Sequence, residues 1–270
     1  MRWSLALALA AGCVSPRSGG GDDGPMTDAR RGDGSGSGSG AVSVFDSSIK
    51  DVVVEIDYET GQEPYTGPII GFGDTFDPTL ANIDRVFAGK KMLTIPKTLG
   101  AMQDVGAIND EELTVPDILA LATQHRITYN SETRRSYYVI FVSGHFADDN
   151  GIQYGVLGIS IGDTIAMFKD VIRTTNITLA PNVVRYVEQS TLIHELSHSI
   201  GLTDNGVPMV APHKDAPHGA HCNNQDCVMF WQNDGSADAA RFAQQRLLTG
   251  SSILFDAACL ADVDAQTGGL

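Results

Sequence analysis

Five consecutive residues, His194-Glu195-Leu196-Ser197-His198, narrow the architectures open to this chain more than any other stretch. Two histidines at i and i+4 reach one ion when the segment is helical, because one turn of α-helix stacks those positions on the same face. The flanks agree with a helix over 181–200. Pro181 sits where a first helical residue belongs, Val183, Tyr186, Val187, Ile193, Leu196 and Ile200 recur at helical spacing, and Gly201 stands at the stop. Zinc accepts neutral imidazole nitrogen, and a catalytic zinc site takes three protein ligands and keeps one position for water. His194 and His198 supply two of the three, and Glu195 lies beside them as the base for that water.

Ahead of the helix the pattern alternates strands and helices. Residues 52–58 and 137–142 are rich in β-branched and aromatic side chains and predict strands, as do 155–161 and 164–171, joined by the turn dipeptide Gly162-Asp163. Helices are expected over 78–87 and 115–126, the second opened by Pro116. Residues 61–77 read as a loop. Beyond Gly201 the chain is irregular to about residue 234, then shows helical patterns over 237–248 and 255–262. The expected class is α/β, with one folded domain over 42–270.

The first 41 residues read as an address and a tether. Arg2 precedes a short apolar run, too short to span a bilayer as a helix, that ends Leu-Ala-Ala-Gly-Cys13. This ending resembles a bacterial lipobox, although Ala10 stands where leucine is usual. The resemblance implies a signal over 1–13, lipidation of Cys13, and, with Val14 following, an outer-membrane lipoprotein; the alternative is a secreted protein. Residues 14–41, with Gly-Gly-Gly-Asp-Asp-Gly and a Gly-Ser repeat, have almost nothing to bury. As a coil they reach roughly 30 Å. Asp and Glu number 33 against 18 Lys and Arg, a net charge of −15, which argues against a nucleic-acid partner.

The motif extends beyond the two histidines. His194 to Asp204 fits H-E-x-x-H-x-x-G-x-x-D, and further on stands His221-Cys222-Asn-Asn-Gln-Asp-Cys227-Val-Met229. The whole resembles the metzincin metalloendopeptidases, and the His-Cys-x4-Cys-x-Met run resembles the archaemetzincins among them. The resemblance covers residues 194–229. It implies a zincin fold in which a mixed twisted sheet packs on the active-site helix above an irregular C-terminal subdomain. It also implies one catalytic zinc, a peptide or protein substrate, Glu195 as the catalytic base and Met229 as the methionine of a turn beneath the metal. His221 is the favoured third ligand. Asp204, which has metzincin spacing, and His213 are the alternatives, and His218 lies in the same insertion, 203–220. Phe230 and Trp231 stand where some metzincins carry a tyrosine that assists the oxyanion.

Archaemetzincins hold a structural zinc through four cysteines, whereas here only Cys222, Cys227 and Cys259 follow Cys13. The expectation is therefore a Cys222–Cys227 disulfide in an oxidising envelope, with Cys259 a buried free thiol; the alternative is a bridge that includes Cys259 and leaves one of the other two free. The rival to a protease is a non-catalytic zinc-binding envelope lipoprotein whose insertion 203–220 covers the open metal position. A monomer is expected in either case.

Overall fold

The computed structural model describes residues 42–69, 73–178 and 180–269. The signal, Cys13 and the tether lie outside the described residues. The first long strand, β1 (Asp51–Tyr58), is followed by a two-residue pair, β2 (Pro68–Ile69) and β3 (Gly73–Asp74), and by helix α1 (Asp77–Val86). Short strands β4 (Met92–Thr94), β5 (Gln103–Asp104) and β6 (Glu112–Leu113) lead to α2 (Val115–His125). Then come β7 (Arg134–Val142), β8 (His145–Asp148), β9 (Gly151–Gln153), β10 (Gly158–Ile161), β11 (Thr164–Phe168) and α3 (Lys169–Thr174). Helix α4 (Asn182–Ile200) carries the two motif histidines, and α5 (Ser236–Thr249) and α6 (Ala257–Thr267) close the chain.

The central sheet has the order β10-β11-β7-β1-β4, with β5 also pairing β1. β4, β1, β7 and β11 run parallel, and β10 is antiparallel to β11 at one edge. Strand β7 is buried from Ser136 to Val142, as expected of a strand flanked by parallel neighbours and covered on both faces. Gly162 at φ +63° makes the turn that sets Ile161 opposite Thr164, the hairpin read from Gly162-Asp163. The mixed α/β class is borne out. Strand boundaries differ from expectation: the strand expected over 155–161 begins at Gly158, and the one expected over 164–171 leaves the sheet after Phe168, with Val171 in α3. A short apolar run does not by itself separate strand from helix.

Helix α4 is buried on every side from Tyr186 through His198, so it is the axis of the molecule rather than a surface helix. It contacts β10 and β11 of the sheet, and α1, α3 and α5. Gly158 lets β10 approach closely: a Cβ there would lie 3.0 Å from Thr191 Cγ2 and 3.1 Å from Glu195 Cγ. Among the described residues no helix is long and apolar enough to cross a membrane.

Candidate metal centre

Helix α4 stops where its sequence says it should. Gly201 adopts φ +104° and caps the helix, and its N–H bonds back to the carbonyls of Ser197 and His198. His194 and His198 thus end on a fixed helix, buried to 1% and 5% exposure. His221 arrives from the irregular segment beyond and is equally buried. The three Nε2 atoms converge: His194 to His198 is 2.9 Å, His194 to His221 3.2 Å and His198 to His221 3.3 Å.

This geometry fits zinc. A tetrahedral ion with Zn–N bonds of about 2.0–2.1 Å has ligand nitrogens about 3.3 Å apart. The outer hydrogen bonds fix the tautomer of two rings. His194 Nδ1 donates to the Val228 carbonyl at 2.7 Å and His221 Nδ1 to the His218 carbonyl at 2.5 Å, which leaves the Nε2 lone pairs facing one point. Two fixed acceptors and the His198 Nε2 converging on one point in a buried site call for a cation.

Glu195 is buried beside His194 and contacts the β10 side of the helix at Gly158. A cleft of about 840 Å³ opens at His198. Its walls include Ser160 and Asp163 of the β10–β11 hairpin, Arg135 of β7, and Lys214 and Gly219 of the 203–220 insertion.

Of the other third-ligand candidates, Asp204, His213 and His218, none joins the imidazole group. Asp204 is half exposed and pairs with Lys214 at 3.2 Å. His213 is buried elsewhere, with its Nε2 3.5 Å from Cys259 Sγ and 3.3 Å from Asp262 Oδ2. His218 stacks on Trp231. Met229 is fully buried, and its carbonyl accepts the Cys222 N–H at 2.7 Å.

The cysteines depart from expectation. Cys222 and Cys227 are free, buried thiols rather than a disulfide, and Cys259 joins them: its sulfur lies 3.6 Å from that of Cys227. Asp256 completes the cluster, all four offering ligand atoms within 4.8 Å of one another. Asp256 divides its carboxylate. Oδ1 caps α6 by accepting the Cys259 N–H at 2.9 Å, while Oδ2 faces Cys222 Sγ at 3.5 Å and accepts from Asn224 at 2.9 Å. Hydrogen bonds from the other two thiols pull the Cys222 thiol well below its ordinary range, while burial pushes Cys227 up. Three sulfurs and a carboxylate are a donor set for a soft or borderline ion such as zinc. Sequence reasoning missed Asp256, although the spacing Asp256-Ala-Ala-Cys259 puts a ligand-type side chain one helical turn before the last cysteine.

No family model matches the chain, and no curated protein matches it in sequence. Among solved structures, an archaemetzincin from Methanopyrus kandleri is similar at 14% identity and a TM-score of 0.42, over 82% of this chain and 97% of that one. A zinc-dependent peptidase from Methanocorpusculum labreanum is similar at 10% identity and a TM-score of 0.41, over 78% and 99% of the two chains.

Proposed function

We propose that the chain is a zinc-dependent endopeptidase of metzincin type. The observation that carries this reading is the convergence of the His194, His198 and His221 Nε2 atoms, with Glu195 on the same helix and a cleft that reaches His198. The bound ion would supply a Lewis acid that lowers the pKa of a water to about 7 and polarises the scissile carbonyl. Glu195 takes the proton of the attacking water and passes it to the leaving amine. Its burial keeps bulk water from competing for that proton. The free edge of β10 offers backbone groups to an extended peptide, which would lie across α4 between the hairpin and the insertion.

The Cys222, Cys227, Cys259 and Asp256 cluster is read as a second, structural metal site, closed by four protein ligands. The N-terminal lipobox-like ending supports anchoring at Cys13 in a bacterial envelope, with residues 14–41 as the leash. The alternative is a non-catalytic zinc-binding protein in which the 203–220 insertion, whose Lys214 and Gly219 line the cleft at His198, covers the open metal position.

The deciding experiment assays cleavage of an unstructured protein by wild type and Glu195→Ala, with zinc content measured on both. Loss of turnover by about 10²–10⁴-fold with zinc retained is the expected result. Zinc binding by both without cleavage of a broad peptide library would shift the assignment to the binding protein. For the second site, Cys222→Ser/Cys259→Ser should lower zinc from two ions per chain to one.

A further inference from the structure

The imidazole group has an asymmetry. His194 and His198 are set by a buried helix, but His221 ends a long irregular excursion whose regular structure is one 3-10 turn, Ala216–His218. Such a segment does not hold a ring in place by itself, and the ordering entropy of a loose ligand would be taken from metal affinity. Something in the molecule must fix it.

A continuous set of contacts leads from His221 back to the body. The His221 Nδ1–H bonds to the His218 carbonyl at 2.5 Å. Gly219, at φ +79°, turns the chain between them. The His218 ring is held on two sides: Nδ1 meets the Asp215 carboxylate at 2.9 Å, and one face lies flat on the Trp231 indole, with centroids 3.9 Å apart and an interplanar angle of 6°. Asp215 closes the turn, its N–H donating to the His221 carbonyl at 2.7 Å and its carbonyl accepting from His218 N–H at 2.9 Å. Bonds within 215–221 fix the shape of the turn but not its place. The chain just after His221 is held by the Cys222 N–H bond to the Met229 carbonyl at 2.7 Å, and the stack on Trp231 ties the other end of the turn, at His218, to the same segment, whose residue Val228 orients His194.

We infer that Trp231 is a positioning residue for the third imidazole, acting through the ring and carbonyl of His218; the inference rests on the zinc reading of the His194, His198 and His221 group. Its indole occupies a place where the sequence offers no tyrosine hydroxyl, and its contact is with the ring of His218.

The test measures zinc affinity of the full chain carrying Trp3→Phe, which leaves Trp231 as the single tryptophan. Affinity is read by competition with a chromophoric chelator and by Trp231 emission. Trp231→Ala weakens the imidazole site about 10- to 100-fold, the range for losing an outer support of a ligand. Trp231→Phe, which keeps a ring for His218 to lie on, stays within about threefold of the parent. His218→Ala weakens the site as much as Trp231→Ala, and the double variant is no weaker than either single one, because both cut the same connection. In the parent, emission changes on zinc binding, and His218→Ala abolishes the change. Unaltered affinity in Trp231→Ala, an equal loss in Trp231→Phe, or additive losses in the double variant overturns the inference and leaves the zinc site standing. Should Trp231→Ala not fold, Trp231→Phe and His218→Ala decide the matter. A parent whose zinc content does not fall in His194→Ala/His198→Ala overturns the zinc reading and this inference together.

Discussion

At the scale of single residues, the third ligand shows how chemistry and location separate. His213, Asp204 and His221 all carry suitable donor atoms, and sequence neighbours favoured His221. The structure brings that one to the other two imidazoles, and sends His213 to the cysteines and Asp204 to a surface pair with Lys214. Asp204 instead bears a backbone cost, since it follows Thr203 in the left-handed region, at φ +60° after +56°. Asp204→Gly removes the side-chain clash with the preceding backbone and the expected gain is up to about 1 kcal/mol, a rise of about 2–4 °C in thermal midpoint. Zinc content should be unchanged. A variant that lost an ion would restore Asp204 as a ligand. Asp256 was the residue least legible beforehand, because a lone carboxylate far from the motif announces nothing until α6 folds and its cap turns toward three sulfurs.

Elements were read well where their signals are local. Pro181 and Gly201 bracket α4 to within a residue, and Gly162-Asp163 marks the β10–β11 turn. What escaped was made by pairing at a distance: β2, β3, β4, β5, β6, β8 and β9 are short, and their own residues carry little strand pattern. The burial of α4 on all sides was equally hidden, since polar residues such as Glu188, Gln189 and Ser190 break its apolar pattern while lying fully inside. Glu188 is there because it pairs with buried Lys169 and accepts the Tyr65 N–H at 2.7 Å. Strand β10 approaches α4 closely at Gly158. Gly158→Val would push against Thr191 Cγ2, Glu195 Cγ and Met167 Sδ, the last 3.2 Å from the added Cβ position. The expected cost is about 1–3 kcal/mol of stability. Turnover should fall further than the folded fraction does, because the strand that yields borders Glu195. Equal falls in both would mean that β10 has no part in the reaction.

For the molecule as a whole, stability should carry a pH signature from the centre of the sheet. Asp57 on β1 is buried and accepts the Tyr138 hydroxyl at 2.9 Å, and burial pushes its carboxyl up to about 6. The Tyr138 bond pulls the other way and nearby Glu55 adds to the rise. The native state therefore keeps a proton that the unfolded chain gives up near pH 3.9. This contribution is fully present below about pH 3.9 and is lost as pH climbs through about 6. Urea midpoints at saturating zinc should show that decline in wild type and lack it in Asp57→Asn, which keeps an acceptor for Tyr138. Parallel curves would remove Asp57 as the cause. The same whole-molecule view applies to residues 221–229, which supply His221 to one cluster, Cys222 and Cys227 to the other, and the Val228 carbonyl that orients His194. On the proposed reading, an ion held by the sulfurs would order the very backbone that the imidazoles need, which would make the two ions effectors of one another. Such coupling is reciprocal: whatever factor the first ion adds to the affinity of the second, the second returns to the first. A loss at either cluster would therefore be felt at the other, by the same factor in both directions.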